Sequence, residues 1–207
     1  MYHKRASSIS DACLAEAHDT ENQRNSILIK QRTLAIDASS VNTGWSILED
    51  NDLIVFGEIR LNPKRDKHLQ LFNALLGIIQ EHKPASAVLE ATFMRNVLTL
   101  KTLERMRGVA ILACTFSGIT DIQEFNASSV RKRVFGNGAL KKEEVCKLLS
   151  AHFKTELKTK GYDASDSVAL GCAAHEIKIG QDHNGRATSL PPMPRVRKPR
   201  KPRKPNL

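Results

Sequence analysis

Cysteine is sparse in this chain of 207 residues, and its four copies, Cys13, Cys114, Cys146 and Cys172, form no C-x-x-C pair. Zinc-ribbon and thioredoxin-like readings are therefore weak. Three of the four lie in apolar helical patterns, as expected of buried thiols in a reducing compartment. No apolar run approaches the ~20 residues of a membrane span, so no membrane partner is expected. The N-terminal segment "MYHKRASSISDACLAEAHDTENQRN" lacks the apolar core of a signal peptide and reads as a polar extension. No internal repeat is evident. Acid is absent from the last stretch, "RVRKPRKPRKPNL", which holds seven basic residues.

Charge is accordingly uneven. Lys plus Arg outnumber Asp plus Glu by 32 to 22, for a net +10, and most of the excess sits in that Pro-rich tail. Such a segment cannot bury a core. It suits a polyanionic partner, nucleic acid above all, or serves as a solubilising or targeting tail. The length allows one domain with a sizeable core plus tails. The expected division is an extension over 1–31, a globular domain over 32–180 and a disordered basic tail over 181–207.

Within the globular part, residues 33–37, 44–49 and 53–61 read as strands, with "DND" turning the second into the third. Residues 66–82 place Leu69, Phe72, Leu75, Leu76 and Ile79 at helical spacing, and Pro84 closes the segment. "SAVLEA" is a short strand ending at Glu90, residues 97–117 a long helix, and "DIQEFN" another strand. Asn126 can cap a short helix that ends near Gly136. Helices are expected over 141–153 and 163–179, the last stopped by Gly180. Three strands in a meander followed by alternating helices and strands predict an α/β fold, a mixed sheet with helices on both faces.

Four acids fall at element boundaries. Asp37 and Glu90 end predicted strands, and in open α/β sheets that end faces the ligand crevice. Asp163 and Asp166 open the last helix at i and i+3, on one face. Each has a purely structural alternative: Asp37 as a turn residue, Asp163 as a helix cap, Asp166 at the positive end of the helix dipole. Together they point to metal. Clustered acids repel unless cations sit among them, and two hard divalent ions held by shared carboxylates also suit phosphodiester chemistry.

The blocks that carry these acids resemble the RuvC-type Holliday-junction resolvases of the ribonuclease H-like superfamily. "LAIDASSVNTGWSI" is similar to that family's first strand and turn, and "VLEATFMRNVLTLKTLERMRGVAIL" to its second acidic strand, Phe-Met pair and Arg-Gly-Val-Ala helix. "VRKRVFGNGALKKEEV" resembles its valine–basic helix, Gly-x-Gly turn and lysine, and "YDASDSVALGCAAH" its closing Asp-x-x-Asp helix. The resemblance runs from about Leu34 to Ile177. It implies a ribonuclease H-like mixed sheet and a catalytic, metal-binding tetrad of Asp37, Glu90, Asp163 and Asp166. It also implies Mg2+ with Mn2+ as a substitute, two ions per site.

By the same resemblance, Phe93 and Met94 stand where the family wedges a four-way junction open, and Arg131 and Lys142 where it contacts DNA. A homodimer through the helix from about Leu98 to Phe116, paired symmetric nicks in four-way junction DNA and a cytoplasmic location in a bacterium or phage-infected cell are further implications. The alternatives are a related nuclease for other branched or hybrid nucleic acids, or a non-catalytic DNA-binding protein of the same fold. The chain departs from the family at Ala38-Ser39, where most members have Pro-Gly. It departs again in a slightly shorter loop after Phe93 and in both terminal extensions, as divergent phage versions do.

The tail generates one test. Deleting residues 195–207 removes seven positive charges. Duplex affinity measured between 50 and 200 mM salt should fall, and the log–log salt slope should shrink by up to about 6, at ~0.9 per phosphate contact. An unchanged slope would show that the tail does not meet nucleic acid.

Overall fold

In the computed structural model the described residues are 31–91, 97–158 and 161–181. Five strands form one sheet in the order β3-β2-β1-β4-β5. They are β1 (Arg32–Asp37), β2 (Asn42–Glu49), β3 (Asp52–Arg60), β4 (Ser86–Glu90) and β5 (Asp121–Phe125). The first three are antiparallel neighbours, and β4 and β5 are added parallel to β1. Among the described residues, five helices alternate with and follow them: α1 (Lys67–His82), α2 (Val97–Phe116), α3 (Ala127–Phe135), α4 (Lys142–Phe153) and α5 (Asp163–Ala174). The mixed sheet and element order are those expected from the sequence.

Alternation along each strand divides the core in two. Leu34, Ile36, Ile47, Ala87 and Leu89 point to the side covered by α1 and α2, where they meet Leu71, Leu75, Met106 and Ala110. Ala35, Leu48 and Val88 point the other way, against Val168, Cys172, Val134 and Val145 of α5, α3 and α4. A period of two on β1 thus serves two cores at once. Arg107 of α2 ties the first layer to the sheet edge by an ion pair with Glu124 of β5, and pairs along its own helix with Glu104 at 2.9 Å. The three described cysteines, Cys114, Cys146 and Cys172, are free and buried. Burial pushes the Cys114 thiol up to about 11 and Cys172 to about 12.

Local signals account for most boundaries. Asp66 caps α1, its Oδ1 accepting from the Leu69 N–H at 2.7 Å. Asn126 caps α3 through the Ser129 N–H at 2.8 Å, and Gly136 ends it at φ 73°. Asp50 makes the β2–β3 turn at φ 53°. Two expectations need correcting, and one structural alternative, Asp163 as a helix cap, falls. Leu69 is exposed and Leu71 buried, because the inward stripe of α1 is Leu71–Leu75–Ile79 at i, i+4, i+8. Tyr162, not Asp163, is the residue before α5, and Asp163 is already helical. Finally, α5 ends at Ala174 rather than 179. There Glu176 turns left-handed at φ 56° and the Ile177 N–H returns to the Cys172 carbonyl. That exit lets Ile177 and Ile179 bury in the core, with the Ile179 N–H on the Val134 carbonyl at 2.7 Å. Gly180 lies beyond it.

Helix α5 lies unusually close to the strands. A Cβ on Gly44 would fall on the Asp163 carbonyl, and one on Gly171 would fall on Cδ1 of the fully buried Leu48. Both glycines are there for approach, since neither has a positive φ. Gly44→Ala should destabilise by about 3 kcal/mol or more, because the obstacle is backbone, and Gly171→Ala by about 1–3 kcal/mol. Urea denaturation measures both. Equal and negligible losses would mean that α5 can shift without cost.

Candidate active site

Asp37 and Glu90 are the last residues of β1 and β4, which run parallel side by side, so both carboxylates emerge at the same sheet edge. Opposite Asp37 in the antiparallel β2 stands Gly44. Because Gly44 has no side chain, the first turn of α5 reaches that edge and delivers Asp163 and Asp166. Asp37, Glu90 and Asp163 line one open cleft of about 650 Å³, together with Arg131 of α3 and Lys142 of α4. Asp166 sits deeper, 7% exposed, in a small hollow that it shares with Glu90 and Arg131. All four acids and both bases singled out in the sequence therefore meet at one place. Phe93 and Met94 lie outside the described residues.

The electrostatics are those of crowded like charge. Burial, then the neighbouring Glu90, Asp166 and Asp163 carboxylates, push the Asp37 carboxyl well above its usual range, against the pull of Lys142. Burial and Asp166 raise Glu90, and burial raises Asp166. Lys142 is the local counter-charge. Its ammonium is paired with the Asp166 carboxylate. Desolvation disfavours that ammonium, but Asp166, Asp37 and Glu90 outweigh it and hold its pKa above the ordinary lysine value. Among the described residues, no three of these side chains close round one point as a finished metal cage. The donor set nevertheless fits a hard divalent cation. It is all carboxylate oxygen, and its charge is only partly balanced by Lys142 and Arg131.

The turn after Asp37 is built without glycine. Thr43 Oγ1 accepts from the Ser39 N–H and donates to the Ser39 carbonyl, each at 3.1 Å, while Ser39 Oγ accepts from the Val41 N–H. Hydroxyls thus close the turn, and no residue from Ala38 to Val41 has a positive φ. Sequence reasoning also missed Asn42, whose Nδ2 donates to Asp163 Oδ2 at 2.8 Å. No local pattern signals that bond, because the partners are 121 residues apart.

An open β3-β2-β1-β4-β5 sheet with acids at the ends of β1 and β4 and on the last helix defines a protein of the ribonuclease H-like fold. Comparison narrows the class. A family model described as Crossover junction endodeoxyribonuclease RuvC matches residues 33–175, and this chain belongs to that family. The crossover junction endodeoxyribonuclease RuvC of Chelativorans sp. (strain BNC1) is 34% identical over 154 residues, covering 70% of this chain and 88% of its own. That of Chloroflexus aurantiacus is 31% identical over 153 residues, covering 70% and 93%. The structure of T. thermophilus RuvC in complex with Holliday junction substrate superposes with a TM-score of 0.61 at 13% identity, covering 70% of this chain and 93% of that one. At that identity the likeness is one of fold.

The raised carboxyls set a pH dependence. A carboxyl with a raised folded-state pKa binds its proton more firmly folded than unfolded. The contribution of these carboxyls to the stability of the metal-free fold is therefore largest at low pH and is lost as pH rises from the ordinary carboxylate range through the raised values. In EDTA, the melting temperature should fall across that window. Asp37→Asn should flatten the fall and melt about 2–4 °C higher at pH 7. Scanning calorimetry would contradict this if the variant melted lower.

Proposed function

We propose that this protein is a metal-dependent endonuclease that resolves four-way DNA junctions by paired, symmetric nicks. The observation that supports it most directly is the convergence of Asp37, Glu90, Asp163, Arg131 and Lys142 on one cleft in a chain of this family. Asp37, Glu90, Asp163 and Asp166 would hold the cation, Mg2+ with Mn2+ as substitute, two per site. When bound, such ions polarise phosphoryl oxygens, make water nucleophilic at neutral pH and stabilise a leaving oxygen.

The chain's own groups do the rest. The Lys142 ammonium, already balancing Asp166, is placed to donate to a phosphate oxygen, and the Arg131 guanidinium offers a planar fork to another. These bases offset the repulsion between the acids and DNA. Hydrolysis breaks the phosphorus–O3′ bond, leaving a 5′-phosphate and a 3′-hydroxyl. Asp37 and its neighbours would hold the ions, and the buried walls of β1, β4 and α5 keep the carboxylates from relaxing apart.

One cleft cuts one strand, so two symmetric nicks call for a two-fold dimer. Helix α2 supports that reading. It exposes Leu98 at 74%, Phe116 at 72%, and Val97 and Leu112 besides. Phe93 and Met94, three and four residues beyond Glu90, are assigned to the junction centre. Base–aromatic stacking worth ~1–3 kcal/mol would there offset unpairing. The bounds of the catalytic domain are taken as 32–180, with a basic tail over 181–207 that adds non-specific DNA affinity.

The test is cleavage of a synthetic four-way junction, a matched duplex and an RNA–DNA hybrid, with and without magnesium. Paired nicks confined to the junction are expected. Asp37→Asn, Glu90→Gln, Asp163→Asn and Asp166→Asn should each lower the rate by about two orders of magnitude or more, which is ~2.7 kcal/mol or more of barrier. Junction binding should persist in every case, because it rests on the basic groups. Preferential cleavage of the hybrid, or an amide variant that cuts at the wild-type rate, would refute the assignment.

A further inference from the structure

We propose that Asn42 is a positioning residue that orients the Asp163 carboxylate for the divalent cation. The inference rests on the metal-site reading above. Asn42 opens β2, its backbone held by pairing opposite Arg60 and its neighbour Thr43 locked by the reciprocal bonds with Ser39. From that rigid base its Nδ2 donates to Asp163 Oδ2 at 2.8 Å. A carboxylate oxygen accepts and does not donate, so the amide must present nitrogen to it. That orientation turns Asn42 Oδ1 to a place where it is buried with no partner among the described residues.

An unpaired buried acceptor works against folding, and the fold has no evident need for the amide. Thr43 closes the turn, and Gly44 admits the helix. What the amide adds is control of one oxygen of one acid. A Cβ on Gly161 would stand only 3.0 Å from the same Oδ2, so the space beside that oxygen is kept free of side chain there. What orients Asp163 is the neutral donor on Asn42. A neutral donor suits this task. A lysine or arginine there would compete with a cation for the carboxylate, as a neutral amide does not.

The experiment is calorimetric titration of Mn2+ into the metal-free, full-length protein, beside a thermal melt of each variant. Asn42→Ala should weaken Mn2+ binding by about 10-fold, within the range for groups that orient metal ligands. Cleavage lost at low Mn2+ should be largely recovered at saturating Mn2+. If Asn42→Ala does not fold, Asn42→Thr, which suits a strand start and also lacks the amide, carries the same expectation. In an Asp163→Asn background the Asn42 substitution should have no further effect on Mn2+ affinity. A purely structural role would lower the melting temperature and leave Mn2+ affinity within about two-fold of wild type, which overturns the proposal. So does an equal loss of affinity in the Asp163→Asn background. Wild-type Mn2+ binding that Asp163→Asn leaves untouched would instead overturn the metal-site reading, and this inference with it.

Discussion

Helix α5 can reach the β1–β2 pair only because two positions carry no side chain. Gly44 faces the Asp163 carbonyl and Gly171 faces Leu48. With a Cβ at Gly44 the helix would have to move off its own backbone contact, loosening the cover over Ala35, Leu48 and Val88 and the surface on which α3 and α4 pack, while a Cβ at Gly171 would force Leu48 aside. The same approach places the acidic first turn of α5 at the edge where β1 and β4 end. Packing density and chemistry are therefore set by one distance. Small side chains along β1 and α5, Ala35, Ala169, Ala173 and Gly171 among them, are what that distance requires.

Closeness has an electrostatic cost. Desolvated carboxylates crowd one another: burial first, and then three neighbouring acids, hold the Asp37 carboxyl well above its ordinary range. Lys142 and Arg131 offset part of this from α4 and α3, the helices that the α5 packing holds in place. The cluster is consistent with a site that is stressed without cations and relieved with them. Stored repulsion of this kind is common where function, rather than stability, has selected the residues.

The element order along the chain, the Asn126 cap and the grouping of four acids were legible before any coordinates, the two bases through the family resemblance. Apolar runs and turn residues outline the strands, Asn126 declares its helix, and acids at element boundaries point to a shared edge. The order of strands across the sheet and the Asp66 cap are findings of the structure. The errors have one origin. Gly180 suggested the end of α5, but burial of Ile177 and Ile179 stops it at Ala174 without glycine. Leu69 fits a helical stripe, yet the core lies on the Leu71–Leu75–Ile79 side. Periodicity gives the phase of a helix only to within one residue position, and the neighbour decides the rest. Arg107, part of a block that resembles the family, has a structural task, the ion pair that fastens α2 to Glu124.

By itself the sequence determined the elements, their order and the chemical character of the cleft, because these depend on residue type, spacing and nearest neighbours along the chain. The Ala38–Val41 turn closes without glycine through local hydroxyl bonds of Ser39 and Thr43, but tertiary structure alone decided which elements meet around it. It also decided that Asp163 is held by Asn42 and that Asp166 is the acid paired with Lys142. Those partnerships join residues 24 to 121 positions apart. They follow from the closeness that Gly44 and Gly171 permit, and no local pattern of side chains encodes a distance between two elements that meet only when the chain has folded.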